Sequence, residues 1–145
     1  MQNTIKISCV IGTTDDLATL GLEIWLNDQK LFDQNHVVGK QVFEHEMSDD
    51  EAEYELRFVM KNKTADHTKI DETGAIVKDA CLTIDELAFD ELLLGQLVTE
   101  KTVYTHSFNG TENTVQDKFY GTMGCNGTVS LKFFTPMYLW LLENM

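Results

Sequence analysis

From Leu20 to Asn27 the chain alternates without a break: Leu20, Leu22, Ile24 and Leu26 share one face, and Gly21, Glu23, Trp25 and Asn27 the other. A sustained period of two is the pattern of a strand with one buried side. Asn27-Asp28-Gln29 tolerates positive φ and Lys30-Leu31-Phe32 returns, so the segment predicts a hairpin. The same alternation marks Ile5, Ile7 and Cys9, then Phe43, His45 and Met47, then Tyr54, Leu56, Phe58 and Met60. The last two runs are separated only by the polar break Ser48-Asp-Asp-Glu, which makes them candidates for antiparallel neighbours. Residues 61–72 form the longest polar stretch and are expected as a loop, with a short strand at 74–78. Thr102 to Ser107 reads as a β-branched and aromatic strand ahead of the tight-turn dipeptide Asn109-Gly110. The glycine-rich run Gly121 to Gly127 is followed by another alternating strand through Val129, Leu131 and Phe133. A phosphate-cradling loop needs a basic residue and a helix start instead, so these glycines are read as turning the backbone.

The stretch Asp79 to Leu94 carries two patterns. As a helix it has a capping box, Thr83 with Glu86, and a face of Leu87, Ala88, Glu91 and Leu94 that contains a carboxylate. As a strand it points Ala80, Leu82 and Ile84 one way, then slips one residue near Asp85-Glu86 so that Leu87 and Phe89 continue the apolar row. A β-bulge permits that slip. The neighbouring segments alternate, and the strand is the reading adopted.

The chain closes with Thr135-Pro-Met-Tyr-Leu-Trp-Leu-Leu-Glu-Asn-Met145. Thr135 as N-cap and Pro136 at the first helical position predict a short helix. Its residues leave no polar face, so the segment must be covered: either it plugs the domain's own core, or Pro136, Met137, Tyr138, Leu139, Trp140 and Leu141 dock on another chain. Short strands with regular turn signals and one brief helix describe an all-β, single-domain antiparallel β-sandwich, jelly-roll-like, spanning residues 1–145, with 136–145 as an apolar C-terminal segment.

Composition narrows the partners. With 24 acidic against 11 basic residues and a formal charge of −13, the chain repels a phosphate backbone, so nucleic acid is excluded as a partner. The 3 cysteines, Cys9, Cys81 and Cys125, form no CxxC pair and are expected as reduced, partly buried thiols. No apolar run approaches the roughly 18 residues of a membrane span, and Met-Gln-Asn-Thr-Ile-Lys-Ile lacks the apolar core of an export signal. A soluble protein made in the cytoplasm is the expectation, and the Asn-x-Ser/Thr sequons at Asn62, Asn109 and Asn126 are then turn chemistry.

Chemistry is sparse. The 4 histidines are scattered, with no HExxH grouping and no Gly-x-Ser-x-Gly elbow, so no enzyme is predicted. Asp66, Asp79 and Asp85 are the candidates for a calcium site, hard oxygen donors at one end of a sandwich, although at this acidic content a solvated acidic face is the favoured account. Trp25 is the one aromatic suited to a sugar platform, and a loop or the chain end is expected to cover it.

Leu20 to Phe32 resembles the early hairpin of the small calcium-dependent xylan-binding carbohydrate modules. Residues 62–85, ending in Asp79-Ala-Cys-Leu-Thr-Ile-Asp85, look like their loop-then-strand segment, where such a pattern carries carbohydrate or calcium contacts. The likeness spans residues 5–94 and leaves out 100–145. Modules of that family are usually secreted appendages of enzymes. A free-standing sandwich of this kind with an apolar tail is similar to the small structural and decoration proteins of tailed bacteriophages. That likeness implies a virion structural protein, homo-oligomeric and bound to other structural proteins through its tail. The alternative it leaves open is a glycan-binding module, with or without calcium.

Overall fold

The computed structural model describes residues 4–15, 18–63, 68–107 and 114–144. In chain order these form β1 (Thr4–Thr13), β2 (Gly21–Leu26), β3 (Gln29–Gln34), β4 (Gln41–Ser48), β5 (Glu53–Lys61), β6 (Thr68–Ile70), β7 (Ile76–Asp79), β8 (Leu82–Phe89), β9 (Leu92–Leu93), α1 (Gln96–Lys101), β10 (Thr102–Ser107), β11 (Thr114–Asp117), β12 (Thr122–Met123), β13 (Gly127–Phe134) and α2 (Met137–Asn144). One sheet runs β12-β8-β1-β4, with β9 also on β8, and the other β11-β10-β13-β5-β2-β3. Every pairing is antiparallel. The inward rows, Ile5 to Ile11 of β1, Leu22 to Leu26 of β2, Leu56 to Met60 of β5 and Val129 to Phe133 of β13, belong to one buried cluster between the sheets. Alternation produces this directly, because each strand turns one face inward and the other to water.

The strand reading of Leu82–Phe89 is the one the chain adopts. Ser8 pairs with Ala88 and Val10 with Asp85, so Glu86 and Leu87 together oppose Cys9. The bulge lies where the apolar row slips, and Glu86 takes φ 54 to make it. Leu87 and Phe89 are thereby returned to the core. The strand stops at Phe89, however. Asp90 and Glu91, at φ 50 and 69, make a two-residue turn into β9.

Three expectations are corrected. Gln41 to Met47 and Glu53 to Met60 are not neighbours: β4 pairs with β1, while β5 lies between β2 and β13 in the other sheet. The polar break at 48–51 therefore crosses from sheet to sheet. The stretch 61–72 is not all loop, since β5 reaches Lys61 and β6 forms a small hairpin with β7. The C-terminal helix starts at Met137, and Thr135 does not cap it. Thr135 donates its backbone N–H to the Ala52 carbonyl at 2.9 Å, and its hydroxyl accepts the Ala52 N–H at 3.0 Å. The orphan amide of Met137 donates instead to Asp49 Oδ1 at 2.8 Å, a carboxylate placed at the positive end of the helix dipole.

The tail is part core and part surface. Met137, Trp140 and Leu141 are buried in the chain's own core, whereas Tyr138, Leu139 and Leu142 are 61%, 42% and 70% exposed. Among the described residues no helix is long and apolar enough to cross a membrane.

Candidate functional site

The outer face of the six-stranded sheet is built by β2, β5 and β13 side by side. Trp25 lies opposite Arg57, and Arg57 opposite Ser130. Trp25 is half-buried, and among the described residues its ring is flanked by cations of its own sheet. The Arg57 guanidinium and the Lys30 ammonium sit 5.5 and 5.6 Å from its centroid, and its indole N–H donates to Glu23 Oε1 at 2.8 Å. Two cations and a carboxylate already occupy what a sugar platform needs free.

Beside Trp25 a charge cluster locks the sheet edge. Lys61 Nζ donates to Glu23 Oε2 at 2.9 Å and to Asp33 Oδ1 at 2.6 Å, joining β5, β2 and β3. Hydrogen bonding to Lys61, assisted by Trp25 at Glu23 and by Lys30 at Asp33, holds both carboxyls below their ordinary range. A folded-state value below the unfolded one stabilises the fold above about pH 4, and that contribution is lost as pH falls through the depressed values. The melting temperature of wild type should therefore exceed that of Lys61→Met at pH 7, with the gap closing as the solution is acidified toward about pH 2. A gap that does not change with pH would contradict the ion-pair account.

The hairpin turn carries this face toward a cavity. Asn27, at φ 52, donates its amide to the Glu55 carbonyl and accepts the Glu55 N–H on Oδ1, both at 2.9 Å. Its own carbonyl accepts Arg57 Nη2 at 2.8 Å. A cavity of about 500 Å3 opens here, lined by Asn27, Glu53, Tyr54, Lys132 and Phe134 and closed on the core side by the buried Phe133 and Trp140. Cross-strand register puts Glu53 against Phe134, Tyr54 against Phe133 and Glu55 against Lys132. Tyr54 stacks on Phe133 at 5.6 Å and donates its hydroxyl to Asp50 Oδ1 at 2.6 Å. That bond, and burial after it, push the phenol up to about 12, so it stays a neutral donor.

Glu55 is already engaged, accepting the Ser130 hydroxyl at 2.6 Å and standing 3.6 Å from Arg57 Nε. Glu53 and Lys132 have no ion-pair partner among the described residues. The cavity thus offers aromatic surface together with one free acceptor and one free donor group, the mixture that suits a small polar ligand with apolar faces.

The acidic candidates separate. Asp66 lies outside the described residues. Asp79 accepts the Lys63 ammonium, which the Gly124 carbonyl also binds, and the Lys63 side chain is only 3% exposed. Asp85 is exposed on the bulge facing Gly121, a different part of the loop from the Gly124 that Asp79 faces. Among the described residues no three His, Cys, Asp or Glu side chains gather as a metal site. His106 Nε2 is 2.8 Å from Asp117 Oδ2 under the Tyr104 ring. Burial raises all three thiols, Cys9 to about 12, which opposes thiolate chemistry at those positions.

Sequence reasoning reads Asn27 as a turn residue and assigns none of the cavity's polar residues a role in a site. Tyr54 reads as part of an apolar row, and no local signal shows that residues 53–55 meet residues 132–134, about half the chain's length away.

No protein-family model matches the chain, and no curated protein matches it in sequence. Among solved structures it is similar to the one described as "vCBM60 in complex with galactobiose", at TM-score 0.52 and 12% identity, over 87% of this chain and 96% of that one. The chain has the β-sandwich fold of a carbohydrate-binding module.

Proposed function

We propose that the protein is a non-catalytic glycan-binding module whose site is the cavity between Asn27, Tyr54 and Phe134. The observation that carries the reading is the pairing there of partly exposed aromatic surface with the unengaged Glu53 and Lys132. A saccharide ring presents an apolar C–H face to an aromatic ring and hydroxyls at its edge to a carboxylate and an ammonium. The likeness of fold to a module solved with galactobiose favours this over the virion reading drawn from the tail.

A glycan array followed by calorimetry, with and without a chelator, tests it. Binding is expected in both conditions, because the cavity supplies its own cation in Lys132. Lys132→Ala and Glu53→Gln should each weaken it about ten-fold, the cost of roughly one charge-assisted hydrogen bond at about 1.4 kcal/mol. Binding abolished by the chelator and untouched by either variant would move the site to the Asp79 and Asp85 loops, and no binding at all would remove the reading.

A second reading, attachment to other chains of an assembly such as a phage particle, is favoured by the exposed Tyr138, Leu139 and Leu142. Truncation before Pro136 does not test it, since that cut also removes core residues Met137, Trp140 and Leu141. Leu139→Ser with Leu142→Ser leaves the core intact and should abolish assembly if the helix is the anchor.

A further inference from the structure

Two cavities of about 320 and 300 Å3 flank the short strand β9 and share one side chain, Leu93. Leu92, Leu93 and Tyr120 line them while remaining 52%, 61% and 77% exposed. The charged residues of the lining are Asp85, Glu86 and Glu100, with no lysine or arginine in either cavity. None of the three carboxylates has an ion-pair partner among the described residues. The bulge that gives Glu86 its positive φ also brings two adjacent acids, Asp85 and Glu86, to the rim.

We propose that this cleft is the docking surface for a basic amphipathic segment of a partner protein. Apolar side chains of that segment enter the cavities on either side of Leu93, and its lysines or arginines face Asp85, Glu86 and Glu100. The charge selects the occupant. A second copy of this chain would set three uncompensated carboxylates against three more on a protein of net charge −13, and an anionic membrane surface would be repelled in the same way. The inference is independent of the glycan reading, because none of these residues lines the cavity on the six-stranded sheet.

The probe is a fluorescently labelled helical peptide of leucine and lysine with one apolar face, read by anisotropy against the intact protein. A scrambled peptide of the same composition, lacking that face, is the control. Binding of the amphipathic peptide is expected at least ten-fold tighter than the scrambled one, and weaker as salt rises from 50 to 300 mM by the screening of exposed charges. Leu93→Ser should reduce it at least ten-fold, and so should Glu86→Lys combined with Glu100→Lys. All three side chains are exposed, so the melting temperature verifies an intact fold. Equal affinity for both peptides, or no loss in either variant, would overturn the proposal. So would self-association that Leu93→Ser abolishes in sedimentation, which would assign the cleft to a second copy.

Discussion

Phe89→Ala is expected to lower the free energy of unfolding by about 3–5 kcal/mol, the range for truncating a large core aromatic. Phe89 is 1% exposed and sits 5.1 Å from the Phe133 ring and 6.2 Å from Trp140, which itself lies 6.3 Å from Phe133. The three rings join β8 of one sheet, β13 of the other and α2. Removing the central one leaves a void that rigid strands on both sides cannot collapse to fill. Urea unfolding should show a lower midpoint with an unchanged slope. Trp140 fluorescence should shift toward that of a more solvated indole. A loss under about 1 kcal/mol would mean that the helix, and not the sheet-to-sheet contact, holds this end.

Asp79→Ala is expected to cost about 3 kcal/mol, the low end for breaking a buried pair because Asp79 is itself 33% exposed. The cost arises less from the lost bond than from what remains, a lysine side chain 3% exposed whose ammonium keeps the Gly124 carbonyl but loses its carboxylate. Lys63 also ties its backbone to Asn126, whose Oδ1 accepts the Lys63 N–H at 3.0 Å and whose Nδ2 donates to the Lys63 carbonyl at 2.8 Å. The pair therefore fastens the end of β5, the β7–β8 junction and the loop before β13 at one point. Lys63→Met in the Asp79→Ala background should recover much of the loss, since methionine fills the same volume without a charge. Chemical unfolding of the two single variants and the double variant measures the coupling directly. Additive effects would mean the ammonium and carboxylate act independently.

Period two made most of the strands legible, because a half-buried strand must alternate whatever it pairs with. The bulge at Asp85-Glu86 was legible for the same reason: a slip in the apolar row has few other causes. Pairing was not legible. The short polar break between β4 and β5 looks like a hairpin, and only the position of each strand's partner, β1 for one and β2 with β13 for the other, shows that it crosses between sheets. Local signals also failed where the chain pays backbone strain. Asp90 and Glu91 make a positive-φ turn without glycine, and α1 starts at Gln96 behind Gly95, with no side-chain cap. The tail's apolar character was plain, but its division was not, since only packing distinguishes Trp140 from Leu142. The candidate cavity was invisible because it is made by register: Tyr54 and Phe134 become neighbours only when β5 and β13 pair.

An NMR titration of the intact protein with neutral oligosaccharides, beginning with galactobiose, tests the proposed site most directly. Amide shifts are expected to move at Asn27, Glu53, Tyr54, Lys132 and Phe134 and to stay still at Asp79, Asp85 and the β9 cleft. Shifts confined to the Asp79 and Asp85 loops, or a spectrum unchanged at millimolar saccharide, would contradict it.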